Sequence, residues 1–170
     1  MKKNSLLLIF ICLSLMTNAQ IRYTAKVEAG YEFFLSRPVK VDPGPDWRGY
    51  QLDKEPNGLD VSVINGLSFN EYLRLGLGVG YLKYGKIDGY SIFCDLECIT
   101  SKDKVSPLFN LKIGRSHINN QYDDGSTDSL VDFTAGVEHR ISKKISLQYK
   151  AGFRFVHQSI FLPIRMNVRF

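Results

Sequence analysis

The chain has 170 residues, 44% of them hydrophobic, with 22 basic against 17 acidic side chains and a net charge of +5, which is one domain's worth of chain with no dominant field. The isoelectric point of about 9.1 would suit a nucleic-acid partner, but the charges alternate in sign and no later basic run exceeds Lys143-Lys144, so nucleic acid is excluded as a partner. Beyond the N-terminal stretch no segment is apolar and long enough for a membrane-spanning helix, and insertion into a bilayer would have to come from strands.

Residues 1–19 read as a secretory signal peptide: Lys2 and Lys3, an apolar run from Leu6 to Met16, then Thr17, Asn18 and Ala19 before Gln20. The apolar run is too short to span a bilayer, and cleavage after Ala19 is expected. Residues 20–170 form the expected domain. Of the cysteines, Cys94 and Cys98 remain after processing. In a strand they would share a face about 13 Å apart, too far for a disulfide. Stability must then come from sheet closure and burial rather than from disulfides.

From Gln20 onward the dominant signal is period-two alternation, which marks strands with one greasy and one wet face. The first strand sets Tyr23, Ala25, Val27, Ala29, Tyr31 and Phe33 against Arg22, Thr24, Lys26, Glu28 and Glu32. The second (58–69) sets Leu59, Val61, Val63, Leu67 and Phe69 against Asp60, Ser62, Gly66 and Ser68. The third (72–83) sets Leu73, Leu75, Leu77, Val79 and Tyr81 against Arg74, Gly76, Gly78 and Gly80. The fourth (89–99) sets Tyr90, Ile92, Cys94, Leu96 and Cys98 against Ser91, Asp95 and Glu97, with Phe93 breaking the pattern. The fifth runs through Phe109, Leu111 and Ile113, and the sixth through Val131, Phe133, Ala135 and Val137. The seventh carries Ile145, Leu147, Tyr149, Ala151, Phe153 and Phe155, and the eighth Ile160, Leu162, Ile164, Met166, Val168 and Phe170. The fold class expected is all-β, an eight-stranded antiparallel up-and-down transmembrane β-barrel.

Connections and aromatic residues add direction. Tight turns are expected at Asn70, Ser101-Lys102-Asp103 and Ser142-Lys143, and longer loops at Leu35–Pro56 and around Tyr122-Asp123-Asp124-Gly125. Short turns on the periplasmic side and longer loops outside are the outer-membrane pattern. Tyr23, Phe69, Phe109 and Phe170 fall toward one rim, and Tyr31, Phe33, Tyr81, Tyr90, Phe153 and Phe155 toward the other, as two girdles facing lipid would. The polar face carries nine cations (Arg22, Lys26, Arg74, Lys112, Arg140, Lys150, Arg154, Arg165, Arg169) and seven anions (Glu28, Glu32, Asp60, Asp95, Glu97, Asp132, Glu138). Such near-balance suits a filled, charge-paired interior rather than a channel. A soluble β-sandwich or lipocalin-like barrel would invert the two faces. Pro163 is awkward in either case, because it removes a ladder donor, and a bulge or fraying near the outer end of the eighth strand is expected.

The alternating apolar positions ending on an aromatic residue, Ile164, Met166, Val168 and Phe170, look like the signal read by the barrel-assembly machinery. With the Asn18-Ala19-Gln20 signal end, Arg74-Leu75-Gly76-Leu77-Gly78-Val79-Gly80-Tyr81, Ser106-Pro107 and Gly136-Val137-Glu138, residues 20–170 resemble the small OmpX/OmpA-like outer-membrane barrels. The resemblance is strongest to the outer-membrane-protein β-barrel domain common in Bacteroidetes. It implies a monomer in the bacterial outer membrane, with outer-membrane lipid or lipopolysaccharide and the barrel-assembly machinery as partners. No cofactor and no metal site is expected.

Chemistry-bearing motifs are sparse. Gly76, Gly78 and Gly80 alternate within a strand and lead into no helix, so they make room for bulky neighbours such as Arg74 rather than cradle a phosphate. Phe155-Val156-His157-Gln158-Ser159 resembles the Phe-x-His-x-Ser motif of lipid A deacylases, which implies His157 as base and Ser159 as nucleophile. Ile160 stands where that family has Asn, and no carboxylate follows Glu138. Arg37, Trp47, Arg48 and Tyr50 in the first long loop form a candidate recognition surface for an extracellular ligand. The expected function is that of a non-enzymatic outer-membrane barrel whose loops serve recognition, adhesion or envelope support. A lipid A hydrolase and a small-solute porin are the alternatives.

Overall fold

The computed structural model describes residues 20–37, 57–119, 125–142 and 144–170. Eight strands run β1 (Ile21–Ser36), β2 (Asn57–Phe69), β3 (Leu73–Tyr84), β4 (Ile87–Ile99), β5 (Val105–Ile118), β6 (Ser126–Arg140), β7 (Ser146–Val156) and β8 (Ser159–Arg169). Each pairs antiparallel with the next, and β8 returns to β1 to close the barrel. Closure removes both sheet edges, so no strand is left with an unpaired row of backbone donors and acceptors.

The alternation seen in the sequence is the alternation of the wall. Glu28, Glu32, Asp60, Asp132 and Arg154 point inward and are buried, while Tyr23, Leu77, Val79, Tyr81, Ile92 and Phe133 point outward and are among the most exposed large apolar side chains. The polarity is therefore inverted relative to a soluble barrel: ionic inside, apolar outside. Both aromatic bands face outward, and so do Cys94 and Cys98, which are free thiols. A polar side chain of β2 interrupts the greasy face. Asn65 on β2 lies outside, and its Oδ1 accepts a hydrogen bond from the Tyr23 hydroxyl at 2.6 Å.

Several strands outrun the apolar alternation. β5 and β6 stay paired from Val105↔His139 to Ile118↔Ser126, well past the stretch around Phe109–Ile113 that the sequence marks. Toward the far end the outward positions become Arg115, Ser129 and Thr127, so the pattern fades while the backbone ladder, indifferent to side chains, continues.

The two rims differ less than the expected loop asymmetry. The rim that carries Gln20 and Phe170 has short connections at 70–72, 100–104 and 141–145. The opposite rim carries the long 37–56 connection and the 119–125 one, but also two-residue turns at Gly85-Lys86 and at His157-Gln158. His157 and Gln158 both take left-handed backbone angles (φ 47° and 59°), the twist a two-residue hairpin turn demands. Neither is glycine, so the turn stores strain.

Of two local expectations, one is corrected and one is met. The room left by the β3 glycines is not used by Arg74. A Cβ on Gly78 would lie 2.4 Å from the Phe93 ring, and one on Gly76 would meet Ile64 at 2.8 Å. Phe93, which broke the β4 alternation, is thus a lumen residue seated on the bare backbone of β3. Around Pro163 the expected irregularity is present: the β1–β8 register shifts between Phe34 and Ser36, opposite Phe161 and Ile160. Pro163 stays paired with Glu32 of β1, and the ladder to β7 simply lacks pairs between Ala151↔Ile164 and Arg154↔Phe161, which is where the missing N–H is absorbed.

The seat of Phe93 can be measured directly. Gly78→Ala should destabilise the barrel by about 1–3 kcal/mol through overpacking. In a Phe93→Leu background the same change should cost less, seen as non-additive shifts of the urea midpoint followed by far-UV circular dichroism.

Candidate functional site

The interior is the chain's most distinctive surface. Every second residue of each strand faces the lumen, and register then decides which charges meet. Direct cross-strand neighbours include Arg74↔Glu97, Asp95↔Lys112 and Asp132↔Arg154. Longer braces cross the lumen. Lys26 on β1 reaches Asp95 (2.9 Å) and Glu97 (3.1 Å) on β4, and Lys112 on β5 pairs with Glu28 on β1. Lys150 joins the same Glu28 at 2.6 Å.

Two arginines form the densest node. Arg154 contacts Glu32 (2.6 Å), Asp60 (2.6 Å) and Asp132 (3.0 Å), and Arg165 contacts Glu32 (2.7 Å) and Asp132 (2.6 Å). Arg165 lies flat because Gly30 faces it across the β1–β8 ladder: a Cβ there would stand 2.5 Å from its Cγ. Guanidinium groups suit this node because their five donors fan out in a plane and serve several carboxylates at once. The Tyr84 hydroxyl donates to Glu32 at 2.8 Å.

Neutral polar side chains complete the network. Gln148 donates to Glu97 (2.8 Å) and Glu138 (2.6 Å), Asn110 donates to Asp95 and accepts from Lys150, and Asn167 donates to Glu28. These amides, Tyr84 and Glu71 were not singled out by sequence reasoning. Periodicity sets Asn110, Gln148 and Asn167 on the polar faces of their strands without naming their partners, and Tyr84 sits on an inward position just past the alternation marked for the third strand.

Among the described residues the buried carboxylates are Glu28, Glu32, Asp60, Asp95, Glu97, Asp132 and Glu138, and the buried cations Lys26, Arg74, Lys112, Lys150, Arg154 and Arg165. Arg169, largely buried, pairs with Glu138 at 2.8 Å and brings the two signs level. Arg140 and Arg22 do not share this depth. Arg140 reaches Glu138 (3.5 Å) and Glu71 (3.3 Å) from the mouth. Arg22, expected in the interior, has a 58% exposed side chain and pairs with Glu71 at 3.0 Å on the rim, because it lies at the start of β1, beyond the enclosed wall.

Toward the opposite rim the interior changes character. Leu82, Tyr84, Ile87, Ile118, Leu130, Val156 and Phe161 form a buried apolar cluster, with Phe34 packed against it, and the Tyr84 and Phe161 rings lie 5.1 Å apart. The polar face is thus not polar throughout. Ionic groups occupy the middle and the terminus-bearing end, and a greasy plug seals the other. A gap near Lys26, Ile64, Arg74 and Glu97 is about 20 Å³, room for a single water.

His157 and Ser159 sit above that plug at the β7–β8 turn. The His157 ring approaches Ser116 (Nε2 to Oγ, 3.3 Å), and the Ser159 hydroxyl donates to the His157 backbone carbonyl at 3.3 Å. The ring therefore addresses Ser116 rather than Ser159. Burial pushes the His157 imidazole down to about 4, opposed by Asp128 and reinforced by His117. Arg37 lies at the end of β1, whereas Trp47, Arg48 and Tyr50 fall outside the described residues, as does the expected signal segment 1–19. Ile164, Met166 and Phe170 face outward along β8, with Val168 half-buried. Among the described residues no group of three or more His, Cys, Asp or Glu side chains is placed to hold a metal ion.

Removing one partner of the buried node leaves uncompensated charge. Arg154→Met, which strips one of two cations from Glu32, Asp60 and Asp132, should cost about 3–5 kcal/mol. Arg22→Gln should cost under about 1 kcal/mol. Chemical denaturation of the refolded barrel reads both.

His157 makes a second expectation. Its proton is held more weakly in the fold (about 4) than in the unfolded chain (6.5), so the unfolded state binds more protons between these values and stability falls as pH drops below 6.5. In His157→Asn, a residue that tolerates the left-handed turn, the loss between those pH values should be smaller, measured as the difference in denaturation midpoints between variant and parent.

No family model and no curated protein matches the chain. Among solved structures it is similar to Neisserial surface protein A (TM-score 0.63, 13% identity, covering 88% of this chain and 97% of that one). It is also similar to the N-terminal β-barrel domain of Pseudomonas aeruginosa OprF (TM-score 0.54, 11% identity, 89% and 100%). A de novo designed transmembrane β-barrel matches with TM-score 0.50 and 16% identity, over 87% and 92%. At these identities the likeness is one of fold: the chain has the closed, eight-stranded, up-and-down antiparallel architecture of small outer-membrane barrels.

Proposed function

We propose that this chain is an integral outer-membrane barrel without enzymatic activity, its short-turn rim facing the periplasm and its longer loops the outside. The observation that carries the reading is the inverted polarity. A continuous jacket of outward Val, Leu, Ile and aromatic side chains surrounds an interior of buried ion pairs, and only lipid is a solvent in which that arrangement is favourable. The fold likeness to Neisserial surface protein A and to the OprF barrel domain agrees with it. The expected leader over residues 1–19 is the route of export, and β8 with Ile164, Met166, Val168 and Phe170 is the segment offered to the assembly machinery.

A structural or recognition role is favoured over transport. Charge-paired side chains and the apolar plug fill the lumen, and a bare eight-stranded wall encloses little more than its own side chains. The reading as a non-enzyme is supported by the hydrogen bond from the Ser159 hydroxyl to a backbone carbonyl and the turn of the His157 ring toward Ser116. Recognition, if the barrel performs it, falls to the 37–56 and 119–125 connections, the longest offered by a rigid frame.

Expression of the full chain in a Gram-negative host, followed by membrane fractionation, tests this. The protein should sediment with the outer membrane, migrate faster on gels before boiling than after, and give no single-channel steps in planar bilayers. Recovery in the soluble fraction would overturn the proposal.

A further inference from the structure

The terminus-bearing mouth is a funnel of about 1170 Å³ whose charged lining is almost wholly basic. Arg22, Arg74, Arg140 and Arg169 converge on it, Lys102 and Lys104 stand at its edge, and Glu71 is the one acidic side chain among its lining residues, beside the α-carboxylate of Phe170. Glu71 reaches in from the β2–β3 turn, where its left-handed backbone (φ 66°) and the hydrogen bonds tying Asn70 to Gln20 set its direction. Its two oxygens already span two guanidiniums, Oε1 to Arg22 at 3.0 Å and Oε2 to Arg140 at 3.3 Å. One oxyanion can therefore bridge that pair.

The carboxylates present do not satisfy the arginines. Arg74, Arg140 and Arg169 all crowd onto Glu138, and Arg74 shares Glu97 with Lys26. Nε of Arg74 and Nη2 of Arg140 are buried with no hydrogen-bond acceptor among the described residues. Forked donors lining an open mouth, with spare N–H groups at their inner edge and further cations behind them, match an anion with three or more acceptor oxygens and more than one negative charge.

We infer that this mouth is a binding site for a phosphate-class oxyanion, bridged between Arg22 and Arg140 above Arg169 and Arg74. Glu71 is its internal competitor, occupying the bridge when no ligand is present. The site goes beyond the outer-membrane reading and does not depend on it, since that reading decides only that the funnel opens to the periplasm. The phosphate could belong to a soluble solute or to the headgroup of a neighbouring lipid.

The full chain, refolded in phosphatidylcholine nanodiscs with barrel formation checked by heat-modifiable mobility, is titrated with inorganic pyrophosphate by calorimetry. Saturable one-to-one binding is expected. Arg140→Gln and Arg22→Gln should each weaken it about ten-fold, as the loss of a charge-assisted bidentate contact does. Glu71→Gln should tighten it, and Arg115→Gln, an exposed cation of β5 near the opposite rim, should leave it unchanged. The exposed turn pair Lys102→Gln/Lys104→Gln provides a variant with no role in the wall and should weaken binding by a few-fold through the local field. Adding phosphatidylglycerol to the discs separates the sources: competition assigns the site to lipid phosphate, and its absence to a soluble one. The inference is overturned if no saturable binding occurs in folded protein, or if Arg115→Gln weakens binding as much as Arg140→Gln.

Discussion

The β1–β8 ladder is the interaction on which the rest depends. Its register, from Lys26↔Arg169 to Ser36↔Ile160 with one shift near Phe34, turns a twisted sheet with two open edges into a wall with none. Closure satisfies the backbone and creates an interior largely shut off from bulk solvent. Inside that space a charge must find a partner, because an unpaired one loses its hydration without compensation. The ion pairs are thus a consequence of closure, and they in turn brace it: Lys26–Asp95 and Lys112–Glu28 tie β1 to strands on the far side of the lumen.

Buried ion pairs do not by themselves make a protein stable, since the desolvation of each partner offsets much of the attraction. What they do here is specify. A one-residue slip in any strand would turn its charges onto the greasy face and its apolar residues into the ionic lumen, so the network selects one register from many that the backbone alone would accept. Phe93 on Gly78 and Arg165 on Gly30 add shape to that selection, each bulky side chain lying where the facing strand has none.

The lumen is graded along its axis. At the terminus-bearing end arginines outnumber the acidic side chains they meet and grade from buried Arg74 to exposed Arg22. In the middle the two signs are matched. At the other end Tyr84, Phe161, Leu130 and Val156 close the bore with apolar contacts, capped by a strained turn at His157-Gln158. A barrel so filled offers its mouths and loops to the surroundings rather than a passage, which is the common ground of the functional proposal and of the oxyanion site.

Strand number, inward and outward faces and the identity of nearly all the buried charges were legible in the sequence, because period-two alternation is a local property that neither closure nor register alters. Asp132, Glu138 and Lys150 could be set on one face from their neighbours alone, and the near-balance of charge on that face with the aromatic bands on the other turned it inward. Which charges meet could not. Arg154 touches Asp60 across 94 positions of chain, and only closure brings β7 and β2 within three strands of each other around one lumen. The same holds for Phe93, whose break in the pattern makes sense once β3 supplies Gly78 beside it, and for Glu71, an ordinary turn residue until the rim folds it over Arg22 and Arg140. The sequence by itself determined the elements and their faces, through chemistry repeated every second residue. The tertiary structure decided the partners, the apolar plug and the basic mouth, because these arise from distances between strands remote in sequence.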